Sequence, residues 1–104
     1  MTEVLFLYVT FGSDSEAKRL ARQAIEKGLA ACVDILPAHQ SLYRWHGKIE
    51  TANEHIALFK TTKEHEDSLR DWLTKAHSFE CPCIATIPIT NLNPAFAAWL
   101  LSSQ

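Results

Sequence analysis

The sequence predicts an α+β domain in which helices pack against an antiparallel sheet. Three observations support this fold class. Strand and helix patterns follow one another in the order β-α-β-β-α-β-α, residues 30–61 read as two long strands folded back on each other, and two strands are apolar on both faces. A length of 104 residues fits one domain, so residues 1–104 are assigned to a single unit.

The first predicted strand, Val4–Val9, is apolar in both of its alternating sets of side chains. A strand with one face in water would instead alternate apolar with polar residues. This strand therefore needs cover on both faces, which places it in the middle of the sheet.

The first helix is predicted to begin at Ser13 and to stop at Gly28. Ser13 and Glu16 have the spacing of a capping box, in which each side chain bonds the backbone N–H of the other residue. Glycine is common just after the last helical turn. Apolar side chains recur at helical spacing and form one face, comprising Ala17, Leu20, Ala21, Ala24 and Ile25.

The long strand pair is the most unusual feature of the pattern. Gly47 can take the positive φ that a short hairpin loop requires, and Pro37 forces the first strand to bend, bulge or lie on an edge. The pair should extend beyond a small domain, and its tip carries Tyr43 and Trp45. We interpret it as an arm that reaches a neighbouring subunit, the alternative being an aromatic pair within one chain. Its segments are Ala31–Leu36, Ser41–Trp45, the turn His46–Lys48, Ile49–Glu50 and His55–Thr61.

A second helix, a last strand and a short C-terminal helix complete the chain. Thr61 and Glu64 offer a second capping box, and Pro88 predicts an edge position for the strand Ile84–Ile89. Asn93 precedes a proline at the first position of the terminal helix, Pro94–Leu101. The second helix has an apolar stripe made of Leu69, Trp72, Leu73 and Ala76.

The first six elements match the split βαβ, ferredoxin-like arrangement βαββαβ, here with an extended hairpin between the second and third strands. Right-handed crossovers place both main helices on one face of the sheet. The other face would keep several apolar side chains in water, which forgoes roughly 1.5–3 kcal/mol for each. We therefore expect that face to be buried between subunits, since one short terminal helix can cover little of it.

The composition argues against several classes of function and location. A net charge of −2 without a basic cluster argues against binding to nucleic acid or to an anionic membrane surface. The start, Met1-Thr2-Glu3, lacks the cationic region of a signal peptide, and no apolar run approaches the roughly 20 residues of a membrane span. Three cysteines form no disulfide framework, so a reducing cytoplasm is expected.

Cys81-Pro82-Cys83 is the sharpest chemical feature. In an extended segment, the side chains of residues i and i+2 point the same way, so the two thiolates could bind one soft cation such as Cu(I) or Zn(II). His77 is close enough in sequence to supply a third ligand. The structural alternative is a pair of small cysteines that pack on either side of a turn proline. Cys32, among apolar neighbours, is expected to be a buried structural thiol.

Three polar residues lie on otherwise apolar strands: Tyr43, Glu50 and Lys60. We expect them either to line a ligand cleft between subunits or to form hydrogen bonds and ion pairs at a subunit interface. A nucleophile elbow, a phosphate-binding glycine loop and a paired-carboxylate motif are absent from the sequence, which therefore predicts no enzyme.

The sequence resembles the CutA divalent-cation tolerance family. The resemblance rests on Leu29–Val33, on Ser41–Glu50 with its Tyr-x-Trp-x-Gly pattern, on Lys60-Thr61 and on His77–Pro82. It covers nearly the whole chain. It implies a ferredoxin-like homotrimer, a cytoplasmic location, and a role in tolerance of copper and other divalent metals with copper binding as the usual assignment. It leaves room for an unidentified protein partner.

Departures from the family pattern prevent a transfer of its metal ligands as a set. Val9 stands where some members have a cysteine, and Ala76 stands where a second histidine sometimes precedes His77. Cys83 replaces a common glutamate, while Ser78 and Phe79 replace a proline and a tyrosine.

The runner-up function is a trimeric small-molecule sensor like those of PII-type signalling, which share the fold. It would bind an anionic metabolite at subunit clefts through Lys60 and one of two other basic residues, Arg44 or Lys48. An enzyme of the acylphosphatase type is disfavoured because the loop after the first strand is acidic and lacks arginine.

Overall fold

The computed structural model describes residues 3–104, which form five strands and three helices. Met1 and Thr2, on which the expected absence of a signal peptide partly depends, lie outside the described residues. The elements in chain order are β1 Val4–Phe11, α1 Asp14–Glu26, β2 Cys32–Ile35, β3 His39–Trp45, β4 Lys48–Thr62, α2 Lys63–Ala76, β5 Ile84–Pro88 and α3 Pro94–Ser102.

The main sheet has the strand order β2-β4-β1-β5, and all of its neighbours are antiparallel. This is the order expected of a ferredoxin-like fold, so the predicted class is confirmed. β1 lies between β4 and β5, as its two-sided apolar pattern predicted. Pro88 ends β5 at the sheet edge, where the missing N–H leaves no ladder bond broken.

The core lies between the helices and one face of the sheet. Leu7 and Val9 of β1 and Phe59 of β4 are fully buried there, against Leu69 and Leu73 of α2. The α1 stripe is buried as predicted except at Ile25, which is 44% exposed. Ile25 occupies the last turn, beyond the edge of the sheet-facing stripe, so the prediction for that residue is wrong.

α3 covers more of the second sheet face than expected. Leu100 is fully buried against Val4 and Ala31, and Phe6 and Phe96 pack around this small cluster. We expected the terminal helix to cover little of this face. That expectation is wrong for the part of the face around Val4, which α3 covers. The remainder of the face lies between β1, the hairpin and the loop before β5.

The hairpin forms as predicted, but its second strand is continuous. β4 runs for 15 residues, because Thr51–Glu54, which the pattern suggested as a break, pairs with β3. Between the pairs Ile35–Ala57 and His39–Glu54, three residues around Pro37 oppose two on β4. Pro37 thus produces a bulge, one of the outcomes expected of it.

We call residues 39–54 the hairpin arm. At its tip, His46 and Gly47 have φ of 50° and 79°, the positive values of a type I′ turn whose twist matches the strands. The arm gives the molecule its elongated extents of 45 × 26 × 23 Å. Large apolar side chains are exposed on both faces of the arm: Leu42 (69%) and Ile49 (70%) on one face, and Tyr43 and Trp45 on the other.

Neither predicted capping box closes. The Ser13 hydroxyl accepts a hydrogen bond from the Glu16 N–H at 3.1 Å, but the Glu16 carboxylate turns away to another partner. For α2 the N-cap is Thr62 rather than Thr61, and the Thr62 hydroxyl bonds Gln104 instead of the helix backbone. In both cases the side chain expected to cap the helix is bonded to a residue distant in the sequence: Glu16 to Ser78, and Thr61 to the Leu29 carbonyl oxygen.

α2 is tied to the edge strand β5 through Glu66. Its carboxylate accepts hydrogen bonds from the Thr86 hydroxyl at 2.7 Å, from Arg70 at 2.6 Å and from Lys63 at 2.9 Å. These bonds, led by the one from Thr86, lower the pKa of Glu66 to about 2. Within residues 3–104, no helix is long and apolar enough to cross a membrane.

Candidate functional site

A cleft of about 770 Å³ opens on the second face of the sheet, between the hairpin arm and the loop before β5. We call it the arm cleft. Alternation along β4 places Ala52 and Glu54 on this side, the same side as Leu58 in the main sheet. The arm contributes Ser41, Tyr43, Trp45, Ala52, Asn53 and Glu54, β1 and its end contribute Tyr8, Thr10 and Gly12, and the loop contributes Ser78, Phe79, Glu80, Cys81 and Cys83.

The loop wall of the arm cleft is anchored by His77. Its ring is buried and stacks on Phe11 with centroids 4.7 Å apart and planes within 6°. Nε2 lies 2.8 Å from the Thr10 carbonyl oxygen, and Nδ1 lies 3.0 Å from the Phe79 backbone N. A carbonyl only accepts and an N–H only donates, so the geometry assigns the neutral tautomer with the proton on Nε2.

A second anchor is Glu16, a carboxylate in the first turn of α1 that is only 6% exposed. Its two oxygens accept hydrogen bonds from the Ser78 backbone N and from the Ser78 hydroxyl, each at 2.8 Å. We call this contact the Glu16 clamp. It joins the N-terminus of α1 to the start of the loop that carries both exposed cysteines.

Close packing completes the wall. A Cβ added at Gly12 would lie 3.1 Å from the Phe79 ring, and the Phe79 and His77 ring centroids are 4.7 Å apart. Gly12 therefore allows a close approach of the Phe79 ring, which a larger residue would push back by a few tenths of an ångström. The segment that follows, residues 80–83, is held at its start by these contacts and at its end by β5.

The predicted metal ligands are not gathered into one cluster. Cys81 and Cys83 are exposed thiols that line the arm cleft, whereas both ring nitrogens of His77 are already used inside the core. Within residues 3–104, no group of three or more His, Cys, Asp or Glu side chains is placed to hold a metal ion. The structure thus does not support His77 as a ligand, and the cysteine pair remains a prediction.

The three residues predicted to line a ligand cleft also do not lie together in one chain. Tyr43 and Glu50 are cross-strand partners on the hairpin arm, but only Tyr43 lines the arm cleft. Lys60 lies ten residues from Glu50 along β4, which is about 33 Å at the usual rise of a strand. A site that combines all three cannot form in one chain, so it remains a prediction only for a site shared between subunits.

Lys60 takes part in a local structural contact. Its ammonium group is 2.8 Å from Asp34 and lies 5.3 Å from the ring centroids of both Phe6 and Phe96. The hydrogen bond to Asp34 raises the pKa of Lys60. Nearby, Cys32 is half-buried and not buried as predicted, since it lies on the edge strand β2. Partial burial still raises the pKa of its thiol and thereby disfavours the reactive thiolate form.

The arm cleft has an acidic and aromatic lining. It contains two carboxylates, Glu54 and Glu80, and no Lys, Arg or His side chain. Within the described part of the chain, neither carboxylate makes an ion pair or a side-chain hydrogen bond. Four aromatic side chains line the same space: Tyr8, Tyr43, Trp45 and Phe79. An anion would therefore find no charge partner in this cleft.

Sequence reasoning found Tyr43, Cys81 and Cys83 but missed Tyr8, Glu54 and the carboxylate role of Glu16. A period-two relation was available for the arm, because Ser41, Tyr43 and Trp45 are two residues apart and therefore share one face of the strand. The contact between Glu16 and Ser78, 62 residues apart, leaves no local signal.

Comparison with known proteins gives consistent matches along the chain. The family model of the CutA1 divalent ion tolerance protein matches residues 5–103. The divalent-cation tolerance protein CutA of Archaeoglobus fulgidus is 42% identical over 95 residues, which is 91% of this chain and 92% of that protein. The chloroplastic protein CutA 1 of Oryza sativa subsp. japonica is 34% identical over 95% of this chain, but the match spans only 56% of that longer protein.

The fold leads to the same group. The structure of CutA from Synechococcus elongatus PCC7942 has a TM-score of 0.94 and 38% identity, and the match covers 99% of this chain and 91% of that one. The resemblance seen in the motifs is thus confirmed by sequence over almost every residue and by structure over the whole fold. The chain belongs to the CutA1 divalent ion tolerance protein family.

Proposed function

We propose that this protein contributes to divalent-cation tolerance by binding copper or another divalent cation, as a homotrimer and without catalysis. The observation that carries the proposal is the pair of exposed thiols, Cys81 and Cys83, in an acidic cleft of a chain from this family. Carboxylates around the thiols favour a cation over an anion, and thiolates favour a soft cation such as Cu(I) or Zn(II).

The residues present fit a copper site in part. Cys81 and Cys83 supply two soft donors, and Glu80 lies between His77 and the first of them on the same loop. Two protein ligands are too few for a closed structural zinc site, so a tightly bound metal would need a further donor, such as one from another subunit. We therefore assign the thiols as the ligands this chain contributes and leave His77 out of the set.

The hairpin arm supports the trimeric part of the proposal. Leu42 and Ile49 lie on one face of the arm and are about 70% exposed, while Tyr43 and Trp45 lie on the other. Burying such side chains is worth roughly 1.5–3 kcal/mol each, which favours contact with another copy. Trimer formation is an expectation from the family resemblance. Analytical ultracentrifugation at micromolar concentration tests it, and a monomer would contradict it.

A cytoplasmic location is proposed from the cysteines. Three free thiols, two of them exposed, fit a reducing compartment better than an oxidising one. Cell fractionation with antibody detection tests this location. Recovery in an oxidising compartment, with Cys81 and Cys83 blocked to thiol reagents, would contradict it.

The arm cleft does not favour the alternative function, a PII-like sensor of an anionic metabolite. Its lining has two carboxylates and no basic side chain, and Lys60 is paired with Asp34 outside it. Arg44 and Lys48 are on the hairpin arm but do not line the cleft. A site of that kind would have to be created by residues of another subunit.

The decisive experiment is competition for Cu(I) between the protein and a colorimetric chelator under reducing conditions, with protein purified without an affinity tag. The double variant Cys81→Ser/Cys83→Ser should bind at least about tenfold more weakly, because it loses both soft donors. Cys32→Ser is the matched control and should bind like the parent, since Cys32 lies outside the cleft. Equal affinity of parent and double variant would refute the assignment.

A further inference from the structure

We propose that His55 and Asp14 form a proton-dependent contact that fastens the base of the hairpin arm to α1 when His55 is protonated. We call this contact the arm tether. The Nδ1 atom of His55 lies 4.0 Å from Oδ1 of Asp14, which is too far for a hydrogen bond. A charged imidazole carries a proton on both nitrogens, so protonation supplies the donor and the positive charge that this contact lacks.

His55 lies at the point where the arm leaves the main sheet. It is the cross-strand partner of Phe11, the last residue of β1, whereas the preceding residue, Glu54, already pairs with His39 of β3. Alternation along β4 puts His55 on the same side as the core residue Phe59, facing the helices and away from the arm cleft. A bond from its ring to α1 therefore limits movement of the arm relative to the main sheet.

The ring of His55 is mostly buried and incompletely bonded. Its side chain is 20% exposed, and its Nδ1 is almost inaccessible to solvent yet has no hydrogen-bond partner within residues 3–104. A buried polar atom without a partner costs free energy, so a partner that reaches Nδ1 stabilises the fold. A carboxylate only accepts hydrogen bonds, so Asp14 can be that partner only when Nδ1 carries a proton.

Asp14 keeps one carboxylate oxygen for the tether. Lys18, one turn along α1, binds Oδ2 at 2.8 Å, and Oδ1 is the atom next to His55. The hydrogen bond from Lys18 is the main reason that the pKa of Asp14 is lowered, and the charge of His55 acts in the same direction. Asp14 is therefore ionised throughout the pH range in which an ordinary histidine titrates, which is centred near pH 6.5.

Other groups near the ring set the strength of the tether. The Lys18 ammonium and the positive end of the α1 dipole oppose a charge on His55, so the tether should be as weak as a partly exposed ion pair. Glu16, in the same helical turn, has both carboxylate oxygens bonded to Ser78. The nearest positions on the same side of β1 and β4 are uncharged: Phe11, Asn53 and Ala57.

A double-mutant cycle at two pH values tests the tether in the assembled protein. It compares the parent, His55→Gln, Asp14→Asn and the double variant by urea unfolding at one protein concentration. The coupling should be about twofold to fivefold in the unfolding constant per chain at pH 5.5, where the ring is charged, and should disappear as the pH rises to 8. The pair Asp14–Lys18 persists at both pH values and cancels in the cycle. Coupling that is absent at pH 5.5, or equal at the two pH values, would overturn the proposal.

Hydrogen exchange tests whether the tether restrains the base of the arm. The Leu36 N–H donates to the Ile56 carbonyl oxygen at 2.9 Å, beside the Pro37 bulge, so its exchange reports local opening there. At pH 5.5 this amide should exchange about twofold to fivefold faster in His55→Gln than in the parent, and at pH 8 the ratio should be near one. Comparison at the same pH removes the intrinsic pH dependence of exchange. An unchanged rate at pH 5.5 would contradict the restraint.

A matched cycle on α2 separates the tether from general effects of charge. His65→Gln removes a half-buried histidine whose Nδ1 lies 3.1 Å from the Thr62 hydroxyl, and Asp71→Asn removes an exposed carboxylate. These two substitutions should show no pH-dependent coupling. A coupling as large as that of His55 with Asp14 would mean that net charge, and not a local contact, causes the pH dependence, and the tether would then be rejected.

Discussion

The Glu16 clamp leads to a prediction about how the cysteine loop is held. Two hydrogen bonds of 2.8 Å run from Ser78 to a carboxylate that is 6% exposed. A hydrogen bond to a charged group is worth about 1.5–3 kcal/mol when buried. Ser78 itself is exposed, so water can replace part of what is lost, and we expect Glu16→Ala to reduce the free energy of unfolding by about 2 kcal/mol.

A double-mutant cycle isolates the contact from other effects of the substitution. Removing Glu16 also removes a negative charge from the positive end of the α1 dipole, worth about 0.3–1 kcal/mol. That effect appears equally with and without the Ser78 hydroxyl and therefore cancels in the cycle Glu16→Ala, Ser78→Ala and the double variant. The coupling energy for the hydroxyl bond alone should be about 1 kcal/mol.

Urea unfolding at one fixed protein concentration measures the coupling, since an oligomer unfolds with a concentration-dependent midpoint. A coupling energy near zero would refute the clamp. The same variants report on function, because the clamp holds the loop that carries Cys81 and Cys83. We expect Glu16→Ala to weaken Cu(I) binding severalfold, while Asp14→Ala, the exposed acidic neighbour in the same helical turn, should leave it unchanged.

Two further predictions concern packing and pH. Gly12→Ala places a Cβ 3.1 Å from the Phe79 ring and should destabilise the fold by about 1 kcal/mol in urea, whereas no effect would mean that the loop shifts freely. Hydrogen bonds led by that from Thr86 hold the pKa of Glu66 at about 2, below its ordinary value of 4.5. Its contribution, on the order of 1–3 kcal/mol, is therefore complete above pH 4.5 and lost as the pH falls towards 2. Glu66→Gln should lack this pH dependence between pH 4.5 and 2, and a slope equal to that of the parent would contradict the assignment.

The main sheet could be predicted from the sequence because its causes are local. Apolar residues on both faces of β1 require a central position, Pro37 requires an interruption of the hairpin, and Gly47 permits its tight turn. Each of these signals comes from the conformational limits of single residues or from strict alternation. They fix strand order and the hairpin without knowledge of distant contacts.

The site could be predicted only in part because its contacts join distant segments. Ser13 and Glu16 do form half of a capping box, but the buried carboxylate gains more from two donors on Ser78 than from one exposed N–H. His77 appeared suitable as a ligand because histidine binds metals, yet its stacking on Phe11 and its two hydrogen bonds commit the ring to the core. Both outcomes depend on contacts between residues far apart in the sequence, so neither can be predicted from neighbouring residues.

The hairpin arm exposes apolar side chains on both of its faces, and this bears on how subunits assemble. Alternation along the arm puts Tyr43 and Trp45 on the face that lines the cleft, and it puts Leu42 and Ile49 on the opposite face. The face of Leu42 and Ile49 extends past the end of the helical layer, so α1 and α2 cannot cover it, and these two side chains are the most exposed large apolar groups described. The face of Tyr43 and Trp45 continues the sheet face that we expect other subunits to cover. Polar substitutions on either face should therefore weaken assembly of the proposed trimer, because each face loses apolar surface that another subunit would bury. Analytical ultracentrifugation of a Leu42/Ile49 variant and of a Tyr43/Trp45 variant measures this, and a Tyr43/Trp45 variant that assembles like the parent would contradict burial of the cleft face.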